Sequence, residues 1–512
     1  MHKRFSFALL CSALLSVLVS CGTSAPVHSV FVPPPAGSAP VSLTMTDDPP
    51  SGVSVLFFQV SLTSATLTPA AGSSSASTVS LLENPVQIDV TQLQALSAFL
   101  ANENVPAGTY SSLSLTFANP QLVIFNSSDT ALGSSCAVGS ICTLTPDLGN
   151  SATVSFTSAP FPLTASSGTP LGLLIDFHLN TVIQSDLSVN LGVANGVTVS
   201  QLPSAAATAA PPFGFLTGTV GTVNTSQDQF TFATPAGQTL TVDIDNNTFV
   251  APALPCPSPG FIACLSPGDT VWVQVASVES NGDLLAAKVI LLLIQSANQH
   301  LVDGTVIGYN AGGIKLLLHG AFPSSSAVLL GAVATVTLDS GAAFAVDANG
   351  FTIPSGLIFS SSENLTWGQE LQVEVDPGTW SCVSTNLVPG PPPSCNFSTN
   401  SVQLEPSQMT GTVTAISAPD FTLTYASYPA CISSPGVSAC PDLVALVQRP
   451  VETTSQTTYE GFNPDSFSGL ADNDLVSVSG WIFENDNGML DPAVSLPVVL
   501  AQNIRQHPGG TF

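Results

Sequence analysis

A Gly-Thr-Val triplet occurs three times in this chain, as Gly218-Thr219-Val220, Gly304-Thr305-Val306 and Gly411-Thr412-Val413. Each is followed by an alternating segment: Gln229 to Ala233, Gly313 to Leu318 and Phe421 to Tyr425. A turn then leads into a second alternating strand. These are Gly268-Asp269-Thr270-Val271-Trp272-Val273, Gly368-Gln369-Glu370-Leu371-Gln372-Val373, and Asn473-Asp474-Leu475-Val476-Ser477-Val478. Each unit closes on a β-rich segment, Leu285 to Leu293, Ser401 to Leu404 and Pro497 to Ile504. Period-two alternation between turn residues is the signature of strands. The triplets stand 86 and 107 residues apart, too far for a thin solenoid. Three separate small β-domains are expected, over residues 213–296, 301–405 and 408–506.

The rest of the chain favours strands too. Only 8% of the 512 residues are charged, and helices need long charged side chains on their wet face. Residues 41–200 form a first β-domain. Val41 to Thr46 alternates, Asp47-Asp48-Pro49-Pro50 is a turn, and Val53 to Thr68 is β-rich. Leu93, Leu96 and Leu100 recur at helical spacing, so Gln92 to Asn102 is the best helix candidate. Val105 to Tyr110 is a turn feeding a strand, Ser111 to Phe117. Residues 201–212, rich in Ala and Pro, read as a linker.

The chain opens with a basic stretch, His2-Lys3-Arg4, and an apolar run from Phe5 to Val19. That run is short for a membrane span and fits a secretory signal over residues 1–20. Leu18-Val19-Ser20-Cys21 resembles the lipobox of bacterial lipoproteins. The resemblance implies cleavage before Cys21 and lipidation of its thiol, with palmitate among the acyl chains. Acyl chains contribute about 0.8 kcal/mol per buried methylene, so two or three hold a domain at a bilayer. Gly22 in place of Asp implies, by the same resemblance, the outer membrane or cell surface. Residues 21–40, with five prolines, read as an extended tether.

Beyond Cys21 the cysteines fall into four close pairs: Cys136 with Cys142, Cys256 with Cys264, Cys382 with Cys395, and Cys431 with Cys440. In an exported chain these read as local disulfides, each adding about 2.4 to 3 kcal/mol. None has zinc-knuckle spacing. The net charge is −27, and past the signal only Lys288, Lys315, Arg449 and Arg505 are basic. Four scattered cations cannot line a phosphate groove, so nucleic acid is excluded as a partner.

Four motifs in residues 41–200 resemble the bacterial lipoprotein domain called domain of unknown function 4382. They are Thr46-Asp47-Asp48-Pro49, Asp89-Val90-Thr91-Gln92-Leu93, Val105 to Tyr110, and Leu174-Ile175-Asp176-Phe177. That family implies a β-sandwich and no established activity. The three repeats resemble domain of unknown function 5666, most clearly in the first, where Thr248-Phe249 supplies the middle motif. This implies small barrels of five or six strands, of the oligonucleotide/oligosaccharide-binding type. The expected fold is all-β: a sandwich followed by three barrels on a lipid tether.

No G-x-S-x-G, S-x-x-K or H-E-x-x-H motif occurs. His178 shares a strand face with Asp176, a pairing usable as a general base but more economically structural. Asp243-Ile244-Asp245-Asn246-Asn247 begins like a calcium loop but lacks its glycine and closing glutamate. Glu484 to Gly488 reads as a hairpin turn. Trp272, between two valines on a strand, and Trp481 are candidate glycan contacts. The expectation is a non-enzymatic binding or scaffolding module at the cell envelope, with a protein or neutral polysaccharide partner and no cofactor or metal. A neutral-glycan binder and an accessory polysaccharide enzyme are the alternatives.

Overall fold

The computed structural model describes residues 37–507 apart from 49–53, 73–76, 127–130, 132–135, 185, 203–213, 252–259, 293–299, 311, 323–328, 349, 384–389, 426–447 and 485–496. The signal, Cys21, Cys256, Cys431, Cys440 and the Asn-Gly turn after Glu484 lie outside the described residues. Residues 34–512 form one compact unit.

The first domain holds β1 (Ser38–Asp48), β2 (Ser54–Pro69), β3 (Val79–Ser80), β4 (Val86–Asp89), β5 (Ala98–Pro106), β6 (Gly108–Phe125), β7 (Ile141–Leu144), β8 (Thr153–Phe156), β9 (Leu163–Ala165), β10 (Leu171–His178) and β11 (Val197–Leu202). One sheet runs β11-β10-β1-β5, and the other is built on β2 and β6 with the shorter strands at their flanks. Buried faces of both sheets meet in one core that includes Leu43, Phe58, Leu115, Phe117 and Phe177. This is the expected sandwich. Its first strand starts at Ser38, inside the stretch assigned to the tether, because Ser38 to Pro40 pair with Asn104 to Pro106. The Val105 to Tyr110 turn is held by the Tyr110 hydroxyl, which donates to the Pro106 carbonyl at 2.7 Å.

No helix spans Gln92 to Asn102. Val90–Leu93 is a short 3-10 turn, capped by the Asp89 side chain accepting from Thr91 N, and β5 follows. Phe99, Leu100 and Ala101 are buried in succession, Phe99 in the core of the next domain and the other two in the sandwich. A strand buried on both faces shows continuous apolar character, which imitates a helical period over a short window.

The first barrel comprises β12 (Gly214–Asn224), β13 (Gln229–Ala233), β14 (Thr239–Asp243), β15 (Phe249–Ala251), β16 (Thr270–Val278) and β17 (Leu284–Leu292). The second comprises β18 (His300–Asn310), β19 (Gly313–Phe322), β20 (Val333–Val346), β21 (Glu370–Val375), β22 (Ser381–Val383) and β23 (Ser394–Glu405). The third comprises β24 (Ser407–Ser417), β25 (Asp420–Tyr425), β26 (Gln448–Glu452), β27 (Thr458–Glu460), β28 (Leu475–Phe483) and β29 (Val498–Gln506). In each, five strands close a ring, the first pairing with the second and fourth, and the third meeting the fifth in parallel. The sixth, shorter strand hangs on the fifth. The ring is a five-stranded Greek-key barrel of the expected type.

The triplet glycines have a physical reason. A Cβ at Gly218, Gly304 or Gly411 would lie 2.3, 2.5 or 2.2 Å from the carbonyl oxygen of Ala233, Leu317 or Thr424 on the neighbouring strand. The later turn is equally shared. Val220, Val306 and Val413 each exchange backbone hydrogen bonds with it, through Gly268, Gly368 or Asn473. Asn473 takes the left-handed conformation in place of glycine, with φ 72°, which asparagine tolerates better than most residues. The third repeat therefore keeps the turn despite losing its glycine.

The barrels are not separate beads. Trp481, Phe483, Val498 and Leu500 of the third barrel are buried in the core of the second. Phe57, Val123 and Ile141 of the sandwich pack with Ile307 and Leu317 of the second. Strand β28 is buried along nearly its whole length, so both of its faces are interior. Two expected disulfides are present, Cys136–Cys142 and Cys382–Cys395, and Cys264 is disulfide-bonded.

Gly411→Ala should lower the unfolding free energy by about 2–3 kcal/mol through the carbonyl clash. Gly312→Ala, whose added carbon meets nothing closer than 3.6 Å, should change it by under about 0.5 kcal/mol. Denaturant titration of the two variants checks this.

Candidate binding cavity at the domain junction

Where the sandwich meets the barrels, the molecule forms a half-open cavity of about 760 Å³. Residues 86–100 of the sandwich form one wall. The first barrel contributes Phe215, Trp272 and Lys288, the second Asp303, His319 and Glu370, and the third Gln408 and Gln502. Strand alternation explains this supply. The barrel cores take Val271 and Val273, Val302, and Leu371 and Val373. Their polar neighbours Trp272, Asp303, Glu370 and Gln372 then face outward, onto the junction.

Part of the cavity wall is aromatic. Trp272 stacks on Phe215 with ring centroids 3.9 Å apart and planes 9° from parallel. The wall is also acidic: Asp89, Asp303, Asp347, Glu370, Glu374 and Glu405 line it, with Lys288 and His319.

A hydrogen-bonded chain crosses from sandwich to second barrel. His319 Nδ1 lies 2.7 Å from Asp89 Oδ2, and the two side chains are 5% and 9% exposed. His319 Nε2 lies 2.8 Å from Thr305 Oγ1, whose proton goes to Glu370 Oε2 at 2.8 Å. While Glu370 is ionised it accepts the threonine proton, and Nε2 then donates to Thr305. Nδ1 faces Asp89, so in that state both ring nitrogens donate, the arrangement of an imidazolium. Burial alone would lower the pKa of His319, but Glu370, the hydrogen bond and charge of Asp89, and Asp303 together raise it.

The other acids lack such support. Burial raises Glu370 to about 7, opposed by His319 and the Thr305 hydroxyl and reinforced by Asp303 and Asp89. Burial raises Asp303 to about 6, although Gln372 Nε2 donates to it at 3.1 Å. Glu405 stands well above the ordinary range, first through burial and then through Asp347, Asp303 and Glu370, with Lys288 alone opposing. Burial lowers Lys288 against the pull of Asp347 and Glu405. Its ammonium sits 5.5 Å from the centroid of Phe249.

The Asp89–His319–Thr305 spacings are those of a hydrolase triad. However, Thr305 is not on the cavity wall, and its proton is directed to Glu370 rather than to the histidine. The arrangement suits a structural latch between domains.

Trp272 is half-buried and lies on the cavity as a candidate contact. Trp481 is corrected: it is fully buried, and its Nε1 donates to the Asp347 carbonyl at 3.0 Å. It cannot reach a glycan, because it is packed into the core of the second barrel. His178 lies 3.7 Å from Asp176, and neither is on the cavity wall. In the loop after β14, Asp245 Oδ1 accepts from the backbone of Asn247 and Thr248, so this carboxylate closes its own turn. Among the described residues no cluster of His, Cys, Asp and Glu is arranged to hold a metal ion. No helix there is long and apolar enough to cross a membrane. Sequence reasoning missed His319, Asp303, Glu370 and Glu405, which stand far apart in the chain and each read as the polar side of an ordinary strand.

Fold and cavity together define an all-β protein in which a sandwich and three Greek-key barrels line an acidic and aromatic pocket. Residues 38–200 match the family described as Domain of unknown function (DUF4382). Residues 410–490, in the third barrel, match Domain of unknown function (DUF5666). The sequence motifs are clearest in the first repeat, but the family match falls on the third, where Asn473 preserves the turn. No curated protein matches the chain. Among solved structures, the wild-type single-stranded DNA binding protein from Thermus aquaticus is 13% identical, covering 43% of this chain and 97% of that one, with a TM-score of 0.15. A deletion mutant of that protein is also 13% identical, covering 42% and 96%, with a TM-score of 0.15. At that score the likeness carries no argument.

Glu370 and Asp303 bind protons more tightly folded than unfolded, so stability should fall as pH rises from about 4 to above 7. His319, raised above 6.5, acts in the same direction: its contribution is complete below 6.5 and is lost as pH rises through its folded value. The denaturation midpoint should therefore be higher at pH 5 than at pH 8. Glu370→Gln should add about 1–3 kcal/mol at pH 8 and little at pH 4.5. A wild-type midpoint that climbs with pH would contradict the assignment.

Proposed function

We propose that the protein is an exported, lipid-anchored binding module of the cell envelope, without enzymatic activity, that holds a small organic ligand in the junction cavity. The observation that carries this reading is the cavity itself. Its volume of about 760 Å³ lies within the ~300–1,000 Å³ of small-molecule sites, and an apolar wall with a few convergent polar groups is how such sites are built. The lipobox ending at Cys21 supports the anchor. Thr305 lying off the wall, with His319 committed to two hydrogen bonds, supports binding over hydrolysis. A neutral oligosaccharide is a second reading, favoured by the Trp272–Phe215 stack on the cavity wall.

The test uses the chain from Gly22 onward, which retains the whole compact unit from residue 34. Melting is followed against a panel of metabolite-sized amines, alcohols, acids and neutral oligosaccharides. A ligand at a hundred times its Kd should stabilise the native state by about 2.7 kcal/mol. Trp272→Ala should weaken that ligand at least tenfold while leaving the unliganded fold intact by circular dichroism. Silence across the panel, or a shift that Trp272→Ala leaves untouched, would remove the cavity reading.

A further inference from the structure

We infer that the ligand of this cavity is an organic cation, an amine carried on an apolar body. The inference rests on the binding reading above and names its ligand class. Six carboxyl side chains face the space, against Lys288 and His319. His319 is already matched by Asp89 across the domain boundary. That leaves Asp303 with only an amide partner, Gln372, and Glu370 with only a hydroxyl partner, Thr305, as direct hydrogen-bond donors. A neutral sugar would add no charge to the single His319 ring that Glu370 and Asp303 share with Asp89, and an anion would be repelled.

The cavity already holds one amine. The Lys288 ammonium lies 5.5 Å from the Phe249 ring, with Asp347 and Glu405 acting on its charge. Aromatic face plus carboxylates is the chemistry that receives ammonium groups. The Trp272–Phe215 stack, with Ile290 and Phe322, offers a second aromatic and apolar surface for the remainder of such a ligand.

Binding should be coupled to protons. Glu370 is faced by Asp89 of the sandwich and by His319, Asp303 and Glu405 of its own barrel, while Lys288 of the first barrel acts on Glu405. The third barrel contributes amides there, Gln408 and Gln502. An arriving ammonium favours the ionised form of Glu370 and Asp303, so their protons leave as it binds. Affinity must then rise with pH through the range in which those groups titrate.

The experiment is titration calorimetry of the chain from Gly22 onward with phenethylamine and n-octylamine. 2-Phenylethanol, 1-octanol and a neutral disaccharide are run beside them at pH 5.5, 7 and 8, in buffers of different ionisation enthalpy. We expect the amines to bind at least tenfold tighter than the alcohols, to release protons, and to gain at least tenfold in affinity between pH 5.5 and 8. Glu370→Gln and Asp303→Asn should each weaken the amine about tenfold and reduce the proton release, with the fold checked by circular dichroism. Alcohol or disaccharide binding as tight as amine binding, or amine binding without proton release, overturns the cation inference and leaves the cavity as a neutral site. No heat from any probe, together with no shift in the wider ligand panel, overturns both readings.

Discussion

Between β4 and β5 the backbone from Gln92 to Ser97 leaves both sheets, and its polar groups must be satisfied by something other than a strand. An unpaired buried peptide group costs about 1–3 kcal/mol, and the barrels supply the partners. Gln408 of the third barrel brackets the segment, its Nε2 donating to the Gln92 carbonyl and its Oε1 accepting from Ala95 N. Asn503 Nδ2 donates to the Ala95 carbonyl at 3.0 Å. Arg505 reaches Thr46 Oγ1 and Ser97 Oγ while paired with Glu460 at 3.0 Å. From the first barrel, Phe215 N donates to the Ser97 carbonyl at 2.9 Å. One irregular segment thus fastens two barrels to the sandwich, and Asp89 just before it fastens the remaining one through His319. That segment adds polar fastening to the apolar packing of Phe57, Val123 and Ile141 against Ile307 and Leu317.

The same constraint makes the cavity. Barrels docked around an irregular segment touch it at a few side chains and do not interdigitate along it. The faces they turn inward were the polar faces of alternating strands. Asp303, Glu370 and Glu405 stand on those faces, and carboxyls cannot be packed dry against one another. The space between them therefore remains open where apolar contacts would have closed it. Water exclusion by the surrounding domains raises their proton affinity, so the site stores a tendency to take up positive charge.

How much of this was legible in the sequence depends on the range of each cause. The triplet glycines answer to a carbonyl on the next strand, and the Gly268, Gly368 and Asn473 turns to their own backbone. Local causes leave local marks, so the three barrels could be counted from the order of residues alone. The Cys136–Cys142 and Cys382–Cys395 bridges are local in the same sense. Gln92 to Asn102 misled because Leu93 and Leu100 answer to the sandwich core, Phe99 to the first barrel and Leu96 to the cavity wall, and superposed burial imitates a helical period. Trp481 misled because the neighbouring barrel that buries it leaves no mark in its own strand. The cavity was invisible because Asp89, Asp303 and Glu405 are separated by hundreds of residues, each looking like the solvated side of an ordinary strand.

A site assembled from all the domains has a consequence that a site within one barrel would lack. Trp272, Glu370 and Gln408 meet only while the first, second and third barrels are docked. Any molecule that touches them together must favour the docked arrangement by the difference in its affinity for docked and undocked chains. The Asp89–His319 pair spans two of those domains, and the proton affinity of His319 is raised by Glu370 and Asp303, which line the same cavity. Ligand, proton and domain arrangement are therefore linked through one cluster of side chains, and a change in any one must shift the other two.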